Sequence, residues 1–130
     1  MAVNQARLVQ KVGASMRHQV NQNGYATAVQ TLMDMGILSR ADYERWRNGQ
    51  VPYLEKVCNI NLKKLASILD EMKRYAGRNG LKPSFTFYKQ WGRKNKQTVR
   101  LRFSNSGSDY MEKLYATHYV KNTCDQLDHK

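Results

Sequence analysis

Ten lysine and arginine side chains lie between Met72 and Ser108, a stretch without a single aspartate or glutamate: Lys73, Arg74, Arg78, Lys82, Lys89, Arg93, Lys94, Lys96, Arg100 and Arg102. The chain has 130 residues and a formal net charge of +12, so most of the excess charge sits in one segment. Uncompensated like charges repel in a compact state, and a sequence that crowds them implies a polyanionic partner, nucleic acid first. Tyr75, Phe85, Phe87, Tyr88, Trp91 and Phe103 are interleaved with these cations. Rings among cations can stack on unpaired bases while the charges follow phosphates. Core packing competes for the same side chains. A chain of this size buries most of its Phe and Trp, so Phe85, Phe87 and Phe103 are expected inside, and Tyr88 and Trp91 are the candidates for base stacking.

A smaller group has residue types suited to hydrolysis. Asp109, Glu112, Tyr115 and His118 share one helical pattern, with Arg100 and Arg102 shortly before it. A histidine beside a basic anion clamp can support RNA cleavage, and carboxylates can add metal-assisted hydrolysis. Asp109 as a helix cap and Glu112 as its capping-box partner is the better use of those carboxylates, and no residue is assigned a catalytic role. His18, His118 and His129 are far apart, and Cys124-Asp125 with Asp128-His129 is the nearest approach to metal-ligand spacing. No metal and no cofactor is expected. Glycine-rich phosphate loops, nucleophile elbows and dinucleotide fingerprints are absent from the sequence. Cys58 and Cys124 are too few and too isolated for a disulfide framework, and both are expected as reduced thiols.

Positioning these groups falls mainly to helices. Leu8, Val12, Ser15 or Met16, and Gln19 or Val20 recur at helical spacing from Asn4 to Asn21, with Arg7, Lys11 and Arg17 as a plausible secondary phosphate contact. Ala28, Val29, Leu32, Met33 and Met35 mark a second helix that Gly36 stops, with Ile37 folding back. Ser39, with Asp42 three residues on, starts a third, and Asn48-Gly49 closes it. Two helices one turn apart, with a glycine in the turn, outline a helix-turn-helix.

The run Ser39-Arg40-Ala41-Asp42-Tyr43-Glu44-Arg45-Trp46-Arg47-Asn48-Gly49, followed by Pro52, resembles the second-helix signature of Cro and phage-repressor type helix-turn-helix proteins. The resemblance covers about 15 residues, from Ser39 to Pro52, or up to 25 with the helix that follows. It implies a compact helical DNA-binding domain, usually a homodimer on a palindromic operator, with the early residues of this helix in the major groove. By position Ser39 becomes a phosphate or helix-start contact, Arg40, Ala41 and Glu44 lie near base edges, and Tyr43 and Trp46 belong to the core.

From Pro52 the longest helical pattern runs through Leu54, Val57, Cys58, Leu62, Leu65, Ile68 or Leu69, Met72 and Tyr75, with a break expected at Asn59-Ile60-Asn61, where Asn61 can cap the second part. Gly77 to Gly80 ends it. Ser84 to Trp91 reads either as a strand or as a two-turn helix. Thr98 to Ser104 alternates strictly, and the only nearby partner is Phe85 to Gln90, so the two are expected to pair as a hairpin with a basic tip at Gly92 to Lys96. Such a ribbon would act as a wing, its tip on the backbone or in a minor groove and Arg100 and Arg102 tracking phosphates. A last helix is expected from Asp109 through Tyr119.

The expected fold is therefore α+β: mainly helical, with a helix-turn-helix-like core, a basic wing-like hairpin and a C-terminal helix. Residues 1–122 form a single nucleic-acid-binding domain, and 123–130 a flexible tail. No run approaches 18 apolar residues, and no charged segment leads into an apolar one at the N-terminus, so no membrane contact is expected and the cytoplasm is the expected location. The favoured function is non-enzymatic duplex DNA binding, by a regulator or accessory factor, through Arg40, Arg47 and the ten cations of the central stretch. An RNA or single-strand-binding protein, a small nuclease using His118, and an inhibitor that occupies an acidic protein surface are the alternatives.

Overall fold

The computed structural model describes residues 2–91 and 100–121, with the side chains of 2–5 left aside. The chain is mixed α and β. Its helices are α1 (Ala2–Asn23), α2 (Ala28–Asp34), α3 (Arg40–Arg47), α4 (Leu62–Arg78) and α5 (Asp109–Ala116); its strands are β1 (Tyr25–Thr27), β2 (Lys82–Phe85) and β3 (Thr117–Val120).

The helix ends at Gly36, Ser39 and Asn61 follow the expected chemistry. The Ser39 hydroxyl accepts the Asp42 N–H at 3.1 Å, and the Asn61 side chain accepts the Lys64 N–H at 2.9 Å. Gly36 takes φ +75°, which lets the Ile37 N–H reach back to the Leu32 carbonyl at 3.0 Å and buries Ile37. The break before Asn61 is also as expected, with a short 3-10 turn at Leu54–Val57 preceding α4. One face of α1, with Val12 and Met16, packs on Leu65, Ile68, Leu69 and Met72 of α4. Between α1 and α2, the buried Gln19 amide donates to Ser15 and Thr31 and its carbonyl accepts the Thr27 N–H at 2.8 Å. A polar residue thus sits inside because it satisfies the backbone where strand gives way to helix.

Strand pairing departs from expectation. The sheet is antiparallel with order β1-β3-β2, Thr27 and Ser84 both lying opposite His118. Of the expected hairpin, Thr98, Val99 and the Gly92 to Lys96 tip fall outside the described residues. What remains is a single bridge between Lys89 and Arg100, with the Leu101 N–H on the Tyr88 carbonyl at 2.8 Å. Beyond it the chain leaves the ladder. The carbonyls of Arg102 and Phe103 accept the N–H groups of Leu54 and Glu55 at 3.2 and 2.9 Å, and Leu101 and Phe103 enter the core. The Trp46 indole N–H fixes this exit by donating to the Arg102 carbonyl at 2.8 Å.

Two further expectations are corrected for the same reason. Phe85 and Phe87, expected in the core with Phe103, are exposed, Phe85 because it ends an edge strand whose residues are all exposed and Phe87 because it lies beyond that strand; of the three only Phe103 is buried, against Trp46 and Tyr115. The last helix ends at Ala116, and Thr117 to Val120 becomes the central strand, because both β1 and β2 need it as their partner. Among the described residues no helix is long and apolar enough to cross a membrane.

Candidate nucleic-acid interface

The expected cations separate into three groups. On α4, Arg74 pairs with Asp70 at 3.1 Å and Arg78 with the buried Glu71 at 2.8 Å, while Lys73 stands exposed. On α3, Arg40 lies 3.4 Å from Glu44. Arg102 is turned back on its own loop, donating to the carbonyls of Ser104 and Asn105. The guanidinium groups of Arg40, Arg74, Arg78 and Arg102 are thus already engaged within the fold. Arg93, Lys94 and Lys96 lie outside the described residues.

The third group lies in β2 and in the segment that follows it. Lys82 is exposed on edge strand β2, and the Lys89 to Arg100 bridge brings both side chains over the Phe87 ring, at 5.9 and 5.4 Å from its centroid. Phe85 is 67% exposed and Phe87 44%. Over Phe85 lies Lys113 of α5, at 5.9 Å, a residue the sequence did not single out. Nothing in the pattern around Lys113 marks it; it joins the site only because β2 pairs with the strand that follows α5. Phe85 and Lys113 also line a groove of about 440 Å³ with Lys73, Pro83 and Tyr110.

Tyr88 and Trp91, the candidates for base stacking, have different roles. Tyr88 is half-buried against Trp46 and Phe103, at 5.6 and 5.3 Å between ring centroids. Burial and the neighbouring Tyr43 push its hydroxyl up to about 12. Trp91, 41% exposed, donates its backbone N–H to the Arg47 carbonyl at 2.6 Å and meets Tyr43 edge-on. The Arg47 guanidinium lies over both rings, 5.0 Å from Tyr88 and 4.8 Å from Trp91.

Beside Arg47 is a cleft of about 300 Å³, walled by Tyr25, Tyr43, Phe87, Tyr88 and His118. Tyr25 stacks on His118 at 5.4 Å, and the Tyr88 hydroxyl and His118 Nε2 are hydrogen-bonded at 3.2 Å. Burial lowers the His118 pKa below its ordinary 6.5, so the imidazole is neutral at pH 7.

The residues considered for hydrolysis have separate partners. Glu112 does not close a capping box; Ser108 caps α5, and the Glu112 carboxylate accepts the Phe103 and Ser104 N–H groups and the Ser104 hydroxyl, at 3.1, 2.7 and 2.7 Å. The Tyr115 hydroxyl donates to Glu55 at 2.7 Å, which with burial pushes its pKa far up. Cys58, whose thiol burial raises to about 12, is a packing residue. Among the described residues no three His, Cys, Asp or Glu side chains are grouped to hold a metal.

Comparison with protein-family models, curated proteins and solved structures finds no match to this chain. Its function is therefore argued from the site.

Proposed function

We propose that this chain binds nucleic acid without catalysing a reaction on it, and that it engages unpaired bases with the exposed rings of β2 and of the segment that follows it. The observation that carries this reading is that Phe85 and Phe87 are both exposed, with Lys113 over the first ring and Lys89 and Arg100 over the second, in a stretch of sequence devoid of carboxylates. Large aromatic side chains gain by leaving water, and rings held open beside Lys89, Arg100 and Lys113 suit a ligand with flat apolar faces and a charged backbone. Lys82 extends the phosphate track along β2. A cytoplasmic location belongs to the same proposal.

Duplex DNA binding through α3 is the second reading, supported by the Ser39 cap, the Gly36 turn and the exposure of Arg40, Ala41 and Glu44. A homodimer on a palindromic site goes with it. It ranks second because Arg40 and Arg45 already pair with Glu44 and Asp42, leaving the exposed face of α3 nearly neutral.

Fluorescence anisotropy with single-stranded RNA, single-stranded DNA and duplex DNA of equal length, titrated with salt, separates the readings. Single strands are expected to bind more tightly. Replacing Lys89 and Arg100 together by glutamine should flatten the log-log salt slope by about 1.4, two contacts at roughly 0.7 each. Phe87→Ala should cost about 1–3 kcal/mol for the base it stacks. Tighter duplex binding that Phe87→Ala leaves intact moves the function to α3, and no retention of any of the three at low salt removes nucleic acid as the partner.

A further inference from the structure

The cleft beside α3 has an unusual electrostatic composition. Arg47 Nε is buried and has no hydrogen-bond partner among the described residues. A buried guanidinium nitrogen without an acceptor is costly, since it gives up water and receives nothing in return. No aspartate or glutamate lines the cleft to compensate it. The guanidinium lies over the rings of Tyr88 and Trp91, and a planar or tetrahedral anion is the partner its N–H fork is shaped to bond. The Tyr25–His118 stack, Tyr43 and Phe87 supply aromatic walls, and Thr27 and Gln30 add polar groups on the β1–α2 side. The volume of about 300 Å³ lies at the lower bound for a small-ligand site. Phe87 lines this cleft and also has the Lys89 and Arg100 cations over its ring.

We propose that the cleft takes one nucleotide unit, its base against the aromatic walls of Tyr25, His118 and Phe87 and its phosphate on the guanidinium of Arg47. The inference rests on the nucleic-acid reading and deepens it: Lys89 and Arg100, beside Phe87, hold the strand by charge, and the cleft admits a single unpaired residue of it. Anion and ring are both required, because neither inorganic phosphate nor a neutral base satisfies the guanidinium and the aromatic walls together. A single unpaired residue is the natural occupant, since a paired base would first have to leave its stack.

The shared chemistry comes from a free nucleoside monophosphate or from a nucleotide within a strand, and the experiment separates these sources. The full chain is titrated with adenosine and uridine monophosphates, with inorganic phosphate and with a single-stranded oligonucleotide, reading the ring signals of Tyr25 and His118 by NMR and affinity by anisotropy. Arg47→Lys retains the charge without the planar fork, and Tyr25→Leu removes a wall at a partly exposed position. Lys64→Gln, on a remote face beside Arg7 and Lys11, is the control. Circular dichroism melts confirm that each variant is folded, and should Arg47→Lys unfold, Tyr25→Leu and the ring shifts of the wild type carry the test.

The expected result is that monophosphates shift the Tyr25 and His118 signals while inorganic phosphate does not, and that Tyr25→Leu and Arg47→Lys each weaken the oligonucleotide at least tenfold, with Lys64→Gln within twofold of wild type. Ring shifts with the oligonucleotide and not with free monophosphates assign the cleft to a nucleotide within a strand. An oligonucleotide that binds folded Tyr25→Leu as tightly as wild type and leaves the ring signals unmoved overturns the cleft assignment and leaves the nucleic-acid reading standing. Monophosphate binding without any oligonucleotide binding does the reverse: the cleft would be a site for free nucleotides, and the strand-binding reading would fall.

Discussion

At the scale of single residues, His118 shows how position fixes chemistry. As one histidine among three its sequence context suggested a base for RNA cleavage; in the fold it is the middle residue of a cross-strand row, stacked on Tyr25 and bonded to Tyr88. Burial lowers its pKa, so the unfolded chain takes up this proton before the folded one does. The contribution to stability is therefore complete above the unfolded value, about 6.5, and is lost as the pH falls below it. Thermal melts between pH 7.5 and 5 should show the wild type losing melting temperature faster than His118→Gln on acidification. Parallel losses in the two proteins would mean that the imidazole is not buried as described. Gly49 gives a second expectation. Its φ is +79°, and an added Cβ would lie 2.5 Å from the Gln90 side chain. Gln90 can swing aside, so the left-handed backbone dominates, and Gly49→Ala should cost about 1–2 kcal/mol in urea denaturation.

At the scale of elements, capping chemistry made the helices legible and brevity hid the strands. Ser39, Asn61 and Gly36 act locally, through hydrogen bonds to residues three to five positions away, so the sequence states their effect directly. A three-residue strand such as β1 has no period to detect, and Thr117 to Val120 continues a helical pattern with only its β-branched and aromatic residues to hint otherwise. Glu112 crosses between these levels. Its spacing from Asp109 resembled a capping box, yet it holds the Phe103–Ser104 backbone, and with it the path by which the chain leaves the Lys89–Arg100 bridge. Glu112→Ala should strand these N–H groups and destabilise the fold by about 1–3 kcal/mol per unsatisfied group. Urea denaturation measures the loss, and a change below about 0.5 kcal/mol, the range of ordinary surface substitutions, would show the contact to be incidental.

At the scale of the whole molecule, the net charge of +12 is a destabilising field that four ion pairs among the described residues only partly relieve. Raising sodium chloride should therefore increase the melting temperature of the free protein by screening self-repulsion, while weakening its affinity for nucleic acid. Differential scanning calorimetry of the free chain tests the first half; a melting temperature that falls with salt would show that attractive pairs outweigh repulsion. The sequence by itself determined the mixed, mainly helical class, the helix ends at Gly36, Ser39 and Asn61, the burial of Trp46 and the concentration of cation in one segment. These depend on local periodicity, capping and composition. Only the tertiary structure decided which cations remain unpaired, that Lys113 joins Phe85, that Phe87 stays open, and that Arg47 faces an aromatic cleft without a counter-ion. Each of those depends on which strand pairs with which, and β3 is chosen as the common partner of β1 and β2 by contacts between residues 32 to 95 positions apart, too distant for any local pattern to encode.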